Sequence, residues 1–142
     1  MTKHEELVEL FGLIRLHNRL WRQEWSKDNP QDISISQVQT LDILASEGPK
    51  SSSYLSQMLG VTSGGMTVIS DKLVRQNLAQ RINDATDRRV VKLEITEEGL
   101  EALKAVHNKR VALMEKMFHT LDQSEIRFLI EIYRKLLKSY QE

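Results

Sequence analysis

Two apolar stripes at helical spacing abut across Gly60. Leu55, Met58 and Leu59 lie on one face before it, Met66, Ile69 and Leu73 form the core side after it, and Thr62 is placed to cap the second stripe. So close a junction makes a helix, a tight turn and a second helix. After Asn77 the pattern changes to two short extended runs, Leu78 to Ile82 and Val90 to Ile95, separated by the polar stretch 83–89. A β-hairpin is the economical reading of that change.

The flanks are helical. Leu7, Leu10, Phe11, Ile14, Trp21 and Trp25 recur at spacings of a long amphipathic helix, which ends around Asp28, Asn29 and Pro30. Ser36, three residues before Gln39, has capping-box spacing and leads into Val38, Leu41 and Leu44 before Gly48 and Pro49 break the pattern. Thr96 opens a further helical regime through Leu100, Leu103, Met114, Met117 and Leu121. Asp122 with Glu125 then marks a fresh N-terminus for a last helix carrying Ile126, Leu129, Ile130, Tyr133, Leu136, Leu137 and Tyr140. The expected fold is mainly α with a small β-hairpin wing: a winged helix-turn-helix module over 32–97, flanked by helices over 1–28 and 98–142, in a single domain of 1–142.

The flanking helices carry more apolar surface than such a module can cover, so they are expected to bury it on a second copy of the chain. Leu7, Phe11, Tyr133, Leu136, Leu137 and Tyr140 are the expected seam of a homodimer. Two modules related by a two-fold axis would meet half-sites on duplex DNA about 34–36 Å apart.

Charge argues against a simple nucleic-acid reading, because 20 Lys and Arg balance 20 Asp and Glu. Its distribution is more informative. Residues 1–59 carry six basic and eight acidic side chains, 60–95 carry six and four, and 96–142 carry eight and eight, so only the middle segment is positive. The absence of cysteine removes disulfides, thiolate metal sites and thiol redox sensing together. His4, His17, His107 and His119 lack metal-ligand spacing, and nucleophile-elbow and phosphate-cradling motifs are absent, so neither a metal, a cofactor nor an enzymatic activity is expected. Met1 to Glu9 has no apolar signal core and no apolar run approaches a membrane span, which makes a cytoplasmic protein with no membrane partner the default expectation.

A helix fits the major groove, and one that reads DNA needs small polar residues at its start. The run Thr62, Ser63, Gly64, Gly65, Met66, Thr67 supplies them: hydroxyls for phosphates or base edges, and glycines that let the backbone approach. The same run also suits a plain capped helix packed in a core. Asp84, Asp87, Arg88 and Arg89 give the hairpin a charged tip, where an arginine can enter the narrow minor groove and a carboxylate can fix its direction. Ser51, Ser52 and Ser53 form a polar helix start able to bond phosphate.

Over essentially its whole length the chain resembles the MarR family of winged helix-turn-helix transcriptional regulators. The matching residues are Leu55-Ser56-Gln57-Met58-Leu59-Gly60-Val61-Thr62, Thr67 with Asp71-Lys72-Leu73, Asp87-Arg88-Arg89, and Ile95-Thr96-Glu97-Glu98-Gly99. The resemblance implies six helices with a two-stranded wing, a dimer built from the terminal helices, and repression through pseudo-palindromic operators. It also implies that Arg89, oriented by Asp87, enters the minor groove, leaving Arg88 for phosphate. Ser51, Ser53, Lys72 and Arg75 are further candidate DNA contacts. The chain departs from many relatives in having Gly65 and Val68 where they carry Thr and Arg or Lys. Direct base readout is therefore expected to be weak, with Thr67 or Val68 touching thymine methyls.

Family members commonly release DNA on binding a small molecule. His17, Trp21 and Trp25 fall at successive four-residue steps and could line a cavity for a small aromatic or phenolic effector, although such a stripe also suits core or dimer packing. The alternative to DNA binding is a winged helix that uses its wing against another protein, for which zero net charge is the support.

Overall fold

The computed structural model describes residues 1–29 and 31–141, so Pro30 lies outside the described residues. Two compact units, Met1–Lys109 and Arg110–Glu142, are each described by themselves. The first opens with α1 (Lys3–Lys27) and α2 (Ile35–Glu47), then β1 (Lys50–Ser51), α3 (Ser52–Leu59) and α4 (Ser63–Arg75). The strands β2 (Ala79–Asn83) and β3 (Val91–Ile95) follow, and α5 (Glu97–Met117) begins in this unit. The second unit holds the end of α5 and α6 (Gln123–Lys138). This is the expected mainly helical, winged helix-turn-helix architecture.

The predicted hairpin is real: β2 and β3 pair antiparallel, with Arg81 opposite Leu93 and Asn83 opposite Val91. A third strand joins them, because Lys50 and Ser51 pair with Leu93 and Lys92, giving the order β1-β3-β2. Two residues are too few to show a period-2 pattern, so this strand left no mark in the sequence. It ties the start of α3 directly to the wing.

Leu41, Leu55, Met66 and Leu73, one or two from each of α2, α3 and α4, are fully buried and meet Leu78, Ala79 and Leu93 of the sheet side. Each large side chain so buried contributes about 1.5–3 kcal/mol through removal of apolar surface from water. Met58, expected on the same face as Leu55, instead stands 56% exposed. It lies three residues on from Leu55, and in an eight-residue helix the core accepts a narrower stripe. In α5 Gly99, Ala102, Val106 and Leu113 are buried, while Leu100 and Met114 of the expected register are exposed.

The start of α2 lies two residues before the expected cap. Ser34, not Ser36, has the extended backbone of a cap; its hydroxyl accepts from the Gln37 N–H at 3.2 Å, and the Gln37 side chain accepts from the Ser34 N–H at 2.9 Å. Both spacings fit the same sequence rule, and burial of Val38, Thr40 and Leu41 selects between them. The buried Gln37 amide also donates to Gln76 at 2.6 Å, which joins α2 to the end of α4.

The junction of β3 and α5 depends on Thr96 and Gly99. The Thr96 hydroxyl donates to the Asn77 carbonyl at 2.7 Å and accepts from the Gly99 N–H at 3.0 Å, while the Thr96 N–H donates to Leu78 O at 3.1 Å. A Cβ on Gly99 would stand 2.2 Å from Leu78 O. Only glycine lets α5 start this close to the end of α4.

In the second unit, Asp122 caps α6 as its spacing predicts, accepting from the Glu125 N–H at 2.9 Å while Glu125 accepts from the Asp122 N–H at 3.1 Å. An apolar cleft of about 670 Å³, lined by Met114, Phe118, Ile126, Leu129, Tyr133 and Leu137 with others, runs through this unit. Among the described residues no helix is long and apolar enough to cross a membrane.

Candidate nucleic-acid interface

A stop and a start are compressed into three residues between α3 and α4. Gly60 takes the left-handed conformation (φ 67°, ψ 33°), its N–H donates to Gln57 O, and the Val61 N–H donates back to Ser56 O at 3.0 Å. That pair of bonds satisfies the last carbonyls of α3. Thr62 then caps α4, its hydroxyl accepting from the Gly65 N–H at 3.0 Å.

Packing of Met66, Ser70 and Leu73 into the core turns the opposite side of α4 outward. Gly64, Thr67, Val68, Asp71 and Arg75 recur along that exposed face, and Val68 is 66% exposed. An apolar side chain so displayed, free of any role in the core, suits contact with a thymine methyl. Thr67 donates its hydroxyl to Ser63 O at 3.0 Å, which leaves its lone pairs outward as acceptors. Ser63 is also exposed.

The two glycines have different roles. A Cβ on Gly65 would press to 3.1 Å on the capping hydroxyl of Thr62, so this glycine serves the cap. A Cβ on Gly64 would meet nothing within 4 Å. The fold itself has no use for glycine at 64.

The wing tip is organised by a carboxylate. Asp84 accepts from Thr86 N–H and Oγ1 and from the Asp87 N–H at 3.1, 2.6 and 3.0 Å, and pairs with Lys92 Nζ at 2.7 Å. Lys92 first, then those hydrogen bonds, hold its carboxyl far below the usual carboxylate range. With the tip so fixed, Asp87 accepts from the backbone N–H and Nε of Arg89, both at 3.1 Å, and from a terminal guanidinium nitrogen at 3.3 Å. The Arg89 guanidinium, before any other neighbour, holds the Asp87 carboxyl below its ordinary value. Arg89 is 91% exposed despite this brace, so the carboxylate aims the guanidinium without covering it. Asn83 donates to Arg88 O at 2.6 Å, and the Arg88 side chain is exposed beside Arg89.

Of the other candidate contacts, Ser51 is the cap of α3, accepting from the Tyr54 N–H at 3.2 Å, and Ser53 is exposed one residue into that helix. Lys72 is drawn away from the outward face to Asp32, 3.0 Å from its carboxylate, whereas Arg75 is exposed at the end of α4. Sequence reasoning passed over Arg81 and Lys92. Arg81 of β2 forms an ion pair with Asp71 of α4, joining reading helix and wing, and the pairing of an α4 carboxylate with a strand arginine ten residues on carries no local pattern.

Of His17, Trp21 and Trp25, Trp25 lines a cavity, Trp21 is half-buried and His17 is exposed. The two four-residue steps from His17 to Trp25 run along a helix in which, among the described residues, Trp25 is the buried one. Trp25 donates its indole N–H to Ile33 O at 3.0 Å beside a cavity of about 230 Å³. Lys109 also lines it: its ammonium sits 4.3 Å from the Trp25 ring centre and donates to the carbonyls of Trp25 and Asp28. Burial pushes the Lys109 amine down from its ordinary value, against the opposing charge of Asp28. Among the described residues no cluster of histidine and carboxylates could hold a metal ion.

Residues 33–91 match the family model described as MarR family. The chain is similar to the uncharacterized HTH-type transcriptional regulator YpoP of Bacillus subtilis (strain 168), with 30% identity over 96% of this chain and 97% of that one. It is also 28% identical to the HTH-type transcriptional repressor MdtR of the same organism, over 77% of this chain and 70% of the relative. Among solved structures, the transcriptional regulator BldR from Sulfolobus solfataricus superposes with a TM-score of 0.83 at 28% identity, over 98% of this chain and 99% of that one.

Proposed function

Because the chain belongs to the MarR family of transcriptional regulators, with that family's DNA-binding helix-turn-helix fold, we propose that it is a homodimeric repressor of pseudo-palindromic operators. The observation that carries this reading is the outward face of α4 set beside a wing whose Asp87 aims an almost fully exposed Arg89. The exposed start of α4 lies in the major groove, with Thr62, Ser63, Gly64, Thr67 and Val68 against base edges and phosphates. Arg89 enters the adjacent minor groove, whose negative potential deepens where A·T pairs narrow it. Arg88, Arg75, Ser51 and Ser53 contact phosphate, and Lys72 contributes charge after yielding part of it to Asp32. Similarity to MdtR supports repression as the mode.

Dimerisation rests on exposed apolar surface. Leu7 and Phe11 of α1 are 52% and 62% exposed, and Tyr133, Leu136, Leu137 and Tyr140 of α6 are 54% exposed or more. Exposed large apolar side chains recurring on each of these helices support an association surface. The winged module is assigned to 32–97 and dimerisation to 1–28 and 98–142.

Release by a small aromatic or phenolic acid is supported by the cavity at Trp25, where the Lys109 ammonium would meet a carboxylate. Titration of tryptophan fluorescence with planar phenolic acids tests it: saturable quenching is expected, and its absence with every acid removes the effector assignment.

Binding is tested by gel shift against the promoter beside the protein's own gene, across a salt series. A dimer-sized shift with log affinity falling against log salt is expected. A monomer in sedimentation together with no shift at low salt would favour the protein-binding winged helix, the reading that zero net charge supports.

A further inference from the structure

A cleft of about 280 Å³ separates α4 from the wing, with Ser52, Thr67, Ser70, Arg81 and Lys92 among its lining residues. Its chemistry is that of an anion seat: hydroxyls on the helix side and two cations on the strand side. Arg81 gives one terminal nitrogen to a single oxygen of Asp71, and its side chain is 44% exposed, so the rest of the guanidinium fork is open to another acceptor. Lys92 is held at 2.7 Å by Asp84 and remains a third exposed.

The geometry of a duplex says what lies there. Major and minor grooves are separated by one sugar–phosphate strand, so a module that puts α4 in one groove and Arg89 in the next must pass that strand between helix and wing. We propose that this cleft seats a phosphodiester of the intervening strand, gripped by Arg81 with the hydroxyl of Ser52 and the charge of Lys92 around it. The proposal rests on the DNA reading above and adds to it a contact that fixes the spacing of the two readers. Asp71 and Asp84 balance the two cations, so the seat works by directional hydrogen bonds from a planar fork more than by net charge. Asp71 is the positioning partner that keeps the fork turned toward the cleft.

The test uses the full chain and duplexes carrying a single neutral methylphosphonate at successive positions. For the wild type, one or two positions between each major-groove half-site and its minor-groove flank should weaken binding about tenfold, the loss of a charge-assisted hydrogen bond. In Arg81→Gln those positions should cease to matter while the others still do, and affinity should fall about equally on specific and non-specific duplex. Asp71→Asn should lose less and keep the wild-type interference pattern. Arg81→Lys, which keeps charge but not the fork, should fall between, and serves alone where Arg81→Gln fails to fold. Equal losses in Arg81→Gln and Asp71→Asn with an unchanged pattern would make Arg81 only a tie between α4 and β2, overturning the seat. A wild type that binds no duplex at all would overturn the DNA reading instead.

Discussion

Replacing Gly64 with alanine should raise the stability of the free protein while lowering its affinity for DNA. Glycine in a helix costs roughly 0.5–1 kcal/mol relative to alanine because more backbone entropy is lost on folding. At Gly64 the new methyl meets nothing within 4 Å, so no steric term offsets that gain. For a chain of this size each kcal/mol moves the midpoint by about 2–4 °C, and the variant should melt about 1–4 °C higher. Bound to DNA, the same methyl is driven into a surface that the bare backbone touches, at a cost of typically 1–3 kcal/mol, so Kd should rise roughly tenfold or more. Gly65→Ala is the control. Its Cβ stands 3.1 Å from Thr62 Oγ1 and disturbs a cap worth about 1 kcal/mol, cancelling the entropy gain. Thermal unfolding by circular dichroism and anisotropy with a selected duplex read the two effects separately. A Gly64→Ala protein that binds as tightly as the wild type would refute the close approach of α4 to DNA.

Gly99→Ala should destabilise the first unit by about 1–3 kcal/mol or more, since its Cβ overlaps Leu78 O, and the denaturation midpoint checks it. Acid should loosen the wing only late: carboxyls held below their ordinary value, such as Asp84 and Asp87, stabilise the fold above the unfolded value of about 3.9 and lose that contribution as pH falls below it. The Thr86 and Asp87 amide resonances should therefore hold steady from about pH 8 to 5 and move only below the carboxylate range. Lys109→Met should free the end of α1, costing about 1 kcal/mol and shifting Trp25 emission toward that of a wetter indole.

Periodicity made the helix–turn–helix and the hairpin readable, because Leu55, Met66 and Leu73 occupy one packed core and Gly60 has a conformation that other residues resist. Local rules also located the Asp122 cap. They could not choose between Ser34 and Ser36, since both have glutamine three residues on and only tertiary burial of Val38 and Leu41 decides. The charged tip was legible as composition, but the inward role of Asp84 was not: it depends on Lys92 arriving from the facing strand. Arg81 was invisible for the same reason, its partner Asp71 lying on another element. The tryptophan stripe gives only a direction along one helical face, while a cavity needs walls from other elements, here Ile33 and Lys109 beside Trp25.

Selection of bound duplexes from a random pool, run in parallel with the wild type and Arg89→Ala, bears most directly on the claim that α4 and a braced arginine read DNA together. The wild type should enrich two inverted half-sites about 10–10.5 base pairs apart, centre to centre, with A·T-rich flanks where Arg89 lies. Arg89→Ala should stay folded and dimeric, lose most of its specific affinity, and drop the flanking preference while keeping the half-site core. No enrichment by the wild type, or the same flanks with and without Arg89, would contradict the account.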